Sequence, residues 1–135
     1  MLIEHLAQFE YKGLGPVQRS VCDLYVYDMG THLIAVASER DDNPGASVTN
    51  TAEHAASAVL ARFAPAQPDR LLWVERYPAS RIHGPEESIN KVEFEWDAAR
   101  QRFHAPGWTP SSREELEGLL GEPFPEPTAD ATYRR

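Results

Sequence analysis

The chain has 135 residues, 41% of them hydrophobic and 25% charged, with a formal net charge of −8 and one cysteine. This length fits a single domain, able to bury roughly two-thirds of the surface that its unfolded form exposes. The charge argues against a general nucleic-acid binder, since nothing would offset repulsion from phosphates, and a lone thiol signals neither a disulfide framework nor an oxidising compartment.

The opening stretch MLIEHLAQFEYKG has no basic flank and no apolar run long enough for a signal peptide or a membrane span. The expected location is therefore the cytoplasm, with no membrane partner. A strand is expected around Ala7–Tyr11, ended by Gly13-Leu14-Gly15-Pro16. The runs SVCDLYVYD and THLIAVASE, rich in β-branched and aromatic residues, flank the turn Asp28-Met29-Gly30-Thr31 and read as a hairpin. Leu33-Ile34-Ala35-Val36-Ala37 is apolar without alternation, as a central strand covered on both faces should be. Cys22, between Val21 and Leu24, reads as a small buried hydrophobe.

After the loop ERDDNPGASVT a helix is signalled by Asn50 as cap and Glu53 as its capping-box partner, with Ala55, Ala56, Val59, Leu60 and Phe63 along one stripe. Pro65 and Pro68 stop it. Leu71-Leu72-Trp73-Val74 is the second continuous apolar run and second central strand, ended at Tyr77-Pro78, and a polar loop runs on to Ser88. In Lys91–Trp96 the alternation is strict, which places Val92, Phe94 and Trp96 inward and the charges outward. Asp97-Ala98-Ala99-Arg100 turns the chain into a return strand carrying Phe103. Pro106–Pro110 reads as a rigid connector. A short helix then begins at Ser111 or Ser112, with Ser112 and Glu115 as capping box, Leu116, Leu119 and Leu120 inward, and Gly121 as C-cap. The Pro-rich stretch 122–135 reads as a mobile tail.

The expected fold is therefore α+β: one domain over 1–121, with a mostly antiparallel sheet of five to six strands and one main helix packed on it. The order is (β)ββ-α-βββ-α. The link from Ala37 to Leu71 is long enough for a crossover, so these two central strands are candidates for a parallel pair.

A parallel pair would send the loops after both strands to the same end of the sheet, where sites in such sheets tend to lie. That end collects Glu39, Arg40, Asp41, Asp42, Asn43, Glu75, Arg76, Tyr77, Arg81 and His83 as the candidate surface. Glu39–Asn43 offers oxygen ligands but lacks the spacing of a calcium loop, and Asn43-Pro44-Gly45 makes a solvated turn the simpler account. Ser47, Thr49 and Asn50 could receive an anion at the helix start, yet Asn50 as a cap explains the same residues. His5, His32, His54, His83 and His104 show no metal-ligand spacing, and no serine stands in a nucleophile motif. Hence no catalytic residue, metal or cofactor is expected.

The leading functional reading is a small acidic non-catalytic module, of inhibitor, immunity or regulatory type, that recognises a basic protein surface. It would do so through the 39–42 loop and the outward glutamates of the 91–96 strand. The alternative is a small metal-assisted hydrolase or phosphoester-processing enzyme. Its site would lie at the loops 39–50 and 77–88, with Glu39, Asp41, Asp42 and Glu75 around the ion and His54 or His83 as base. A homodimer joined through a sheet face or edge is a third expectation.

Overall fold

The computed structural model describes residues 2–11, 20–39, 52–63, 70–79, 86–97, 99–100, 102–104 and 107–125. Its strands are β1 (Leu2–Tyr11), β2 (Ser20–Asp28), β3 (Leu33–Glu39), β4 (Arg70–Tyr77), β5 (Ser88–Asp97), β6 (Arg102–His104) and β7 (Thr109–Ser111); its helices are α1 (Ala52–Phe63) and α2 (Arg113–Leu120). All seven strands belong to one sheet, in the order β1-β2-β3-β4-β5-β6, with β7 also paired to β5. Every pairing is antiparallel except β3 with β4, which run parallel in register from Leu33↔Leu71 to Ser38↔Arg76. This is the expected α+β fold, with the crossover through α1 joining the two strands richest in continuous apolar sequence.

Alternation assigns each side chain to one of two cores. On one face Cys22, Leu24, Val26, Leu33, Ala35, Ala37, Leu71, Trp73, Val92 and Phe94 pack with Ala52, Ala55, Ala56 and Val59 of α1. Alanines on the helix let its axis approach the sheet, and the stripe expected for α1 is the one buried where its side chains are described. On the other face Tyr25, Tyr27, Ile34, Val36, Val74 and Ile89 pack with Leu116 and Leu120 of α2. All seven residues of β3 are buried, because both faces of that strand are covered.

Four local expectations change. β1 starts at Leu2 rather than near Ala7; register shifts between Leu2 and Glu4 and between Leu6 and Phe9 interrupt the alternation that would announce it. Thr109–Ser111, read as a connector, is the edge strand β7, where Pro110 lies opposite Asn90 of β5 and no described strand on the outer side requires its missing N–H. In α2, Ser112 caps the helix by accepting from Glu115 N, and Gly121 closes it with φ 76°, both as expected. Leu119, however, is 44% exposed, and Leu116 and Leu120 alone face the core. The packed chain also continues past Gly121: Phe124 is buried in the α2-side core beneath the Arg113 guanidinium, 4.9 Å from its ring centroid.

Candidate functional site

At the carboxyl end of the parallel pair the sheet presents different chemistry on its two faces. On the α1 face, β3 ends in Glu39 and β4 in Glu75 and Tyr77, all three buried. Strand period explains the grouping: Glu39 follows Ala35 and Ala37 on one side of β3, and Glu75 and Tyr77 follow Trp73 on the same side of β4. Glu75 is held by neutral donors, the indole Nε1 of Trp73 donating to Oε2 at 3.0 Å and the Tyr77 hydroxyl to Oε1 at 2.6 Å. Cys22 pairs in register with Glu39, and its thiol donates to the Phe9 carbonyl at 3.4 Å. Burial, then the neighbouring charges of Glu39, Glu75 and Asp23, push the Cys22 thiol well above its ordinary range. It is therefore a protonated core residue and no nucleophile.

On the α2 face the same end carries a row of polar residues. Asp23 lies opposite Ser38, and Ser38 opposite Arg76. Asp23 and Ser38 are fully buried. His5 stacks on Tyr25 at 4.3 Å and brings Nε2 to 3.6 Å from Asp23 Oδ1. Arg76 leads out of the row. Its Nε donates to Glu87 Oε1 at 2.9 Å, and Nη1 to the Glu39 carbonyl at 3.4 Å. Arg113, the first residue of α2, forks onto the same carboxylate at 2.9 and 2.7 Å. The Arg113 hydrogen bonds are the largest influence holding Glu87 below the ordinary glutamate value; Arg76 adds to them, and partial burial opposes both. This bridge ties α2 to the segment leading into β5.

A cleft of about 440 Å³ opens beside the bridge, lined by Arg76, Ala79, Glu86, Glu87, Ile89, Ser111, Ser112, Arg113 and Glu114. β7 positions one wall by pairing Ser111 with Ile89. At the rim Lys91 and the Ser111 hydroxyl both hold Glu115, at 3.3 and 2.6 Å, and the hydroxyl contributes most to keeping that carboxyl below its ordinary value.

The residues expected at this end are thus divided by the sheet. Glu39, Glu75 and Tyr77 meet on the α1 face, and Arg76 points to the α2 face. Because Glu39 belongs to β3 and is buried, it cannot be part of an exposed contact loop. Arg40, Asp41, Asp42, Asn43, Arg81 and His83 lie outside the described residues, as does Asn50. Sequence reasoning missed Asp23, Ser38, Glu87 and Arg113. A carboxylate in the middle of an apolar strand run was the available signal for Asp23; nothing local in the sequence ties Glu87 to two arginines.

Among the described residues no helix is long and apolar enough to cross a membrane, and no three side chains of metal-binding type are grouped. No family model, no curated protein and no solved structure matches the chain.

Proposed function

We propose that this protein is a non-catalytic binding module whose α2 side engages a basic protein surface. The supporting observation is an imbalance of charge. Each arginine or lysine whose side chain is described already meets a carboxylate: Arg70 with Glu93, Arg76 and Arg113 with Glu87, Lys91 with Glu115, and Arg100 with Asp97. Glu86, Glu95, Glu114 and Glu122 are exposed and have no cation among the described residues. All four lie on the α2 side of the sheet, on the helix, or next to it. With the described cations neutralised, the described residues of that side offer unmatched negative charge, which steers and orients a basic partner. Glu95 is one of the outward glutamates expected to serve; the exposed partners of Glu95 come from α2 and its approaches rather than from Glu39.

The test is affinity capture from the native lysate with wild type and with the E86Q/E95Q/E114Q/E122Q variant, at low and moderate salt. A near-stoichiometric basic protein retained by wild type, lost as salt rises and lost in the variant is the expected result. Equal retention by both forms would remove this face from recognition.

A rival reading draws on Glu39 and Glu75, two buried carboxylates on one face at the end of the parallel pair. In that reading they hold a divalent ion for hydrolysis together with Asp41 and Asp42. An ion that binds the native state must raise the melting temperature. Magnesium, manganese, calcium and zinc added separately to wild type and to E39Q/E75Q distinguish the readings: an ion-dependent rise confined to wild type favours the hydrolase.

A further inference from the structure

We propose that the cleft between the start of α2 and the entry to β5 is a socket for one arginine or lysine side chain of the partner; this rests on the binding reading above and localises it. Among the described residues, both arginines lining the cleft are engaged by Glu87, and Arg113 is also stacked on Phe124. An incoming anion would therefore have to compete with a charge-assisted bridge and would meet Glu86 and Glu114 besides. Those two glutamates line the same cleft and have neither a cation nor a hydrogen-bond donor among the described residues. Among the described residues the demand left in the cavity is for positive charge.

Size and polarity agree with that occupant. About 440 Å³ admits a single long side chain with its water. Ile89 and Ala79 supply an apolar lining for the methylene stem, and the exposed glutamates place the charged head at the mouth, where a long cation keeps its hydration. The Glu87 bridge fixes both walls, so the socket exists before the partner arrives and little ordering is required on binding.

The experiment is a ¹H–¹⁵N chemical-shift titration of the full chain with the peptide acetyl-Gly-Gly-Arg-Gly-Gly-amide, and with the same peptide carrying neutral citrulline for arginine. The expected result is saturable shifts at residues 86–89 and 111–114 with the arginine peptide. Affinity should fall at least tenfold with citrulline and at least tenfold in E86Q/E114Q, and fall clearly less in E95Q/E122Q, whose glutamates belong to the acidic face but do not line the cleft. Equal weakening by the two double variants would overturn the socket while leaving the acidic face intact as a diffuse contact. Equal binding of citrulline and arginine peptides would overturn it as a cation site. Shifts absent here, in a protein whose lysate partner is still lost in the fourfold variant, would likewise dismiss the socket and keep the broader reading; loss of neither partner nor peptide in any variant would dismiss both.

Discussion

Glu75 and Glu87 lie near the same end of the sheet and solve one problem in opposite ways. Glu75, on the α1 face, is fully buried and takes its hydrogen bonds from an indole and a phenol. Glu87, on the α2 side, is partly exposed and takes them from two guanidinium groups. Neutral donors from a single strand fix a carboxylate inside one core; charged donors from two distant elements use a carboxylate to join them. The first arrangement is local and silent toward solvent. The second engages both described arginines of the cleft and leaves the exposed Glu86 and Glu114 beside it without a cation among the described residues, which is why the α2 side is proposed as the contact surface.

The comparison breaks most visibly at Glu75. Its replacement by alanine strands two buried donors, each costing about 1–3 kcal/mol, so E75A should lose about 4 kcal/mol in urea denaturation, and E75Q less than half of that. Wild-type stability in E75A would mean that relief from burying the carboxylate outweighs the lost bonds. On the other side, F124A should cost about 3 kcal/mol by emptying the site under Arg113; no loss would return residues 122–125 to the status of an appended tail.

Glu87 gives a smaller effect with a pH signature. E87Q should cost about 2 kcal/mol at neutral pH, the worth of charge-assisted bonds in a partly buried site. Because the folded-state pKa of Glu87 lies below its ordinary value of 4.5, the bridge is fully present above that value and is lost as pH falls through the folded one. The stability gap between wild type and E87Q should therefore close progressively in acid. A gap that stays constant to low pH would show that shape, not charge, holds α2. The smallest effect is expected for S112A, about 1 kcal/mol from loss of the N-cap, read as a shift in the thermal midpoint.

These regions also differ in how far they could be read from the sequence. Elements announced by local chemistry were legible: the Ser112 cap, the Gly121 stop, the apolar runs of β3 and β4, and the alternation of β5 all stand where the residues place them. The parallel pair followed from the length of the link between two doubly covered strands. The second half of β1 was legible around Ala7–Tyr11, its first half was not because bulges break its period, and β7 escaped because three residues containing a proline carry no period at all. The same boundary runs through the site. The placement of Glu39, Glu75, Arg76 and Tyr77 at one end of the sheet was legible because they end adjacent strands, but alternation, not proximity in sequence, sends Arg76 through the sheet to the other face. Asp23, Glu87 and Arg113 depend on cross-strand and helix–sheet contacts, information that exists only once register is fixed.

Carbodiimide footprinting separates the proposed recognition surface on the α2 side from the interior carboxylates on the α1 side. Carboxyl labelling would be compared between the free protein and the complex captured from lysate, with modified sites read by mass spectrometry. Glu86, Glu95, Glu114 and Glu122 should label in the free protein and be protected in the complex, while Glu39 and Glu75 label in neither. Undiminished labelling of those four in the complex, with protection falling on β1 and β2 instead, would contradict the account.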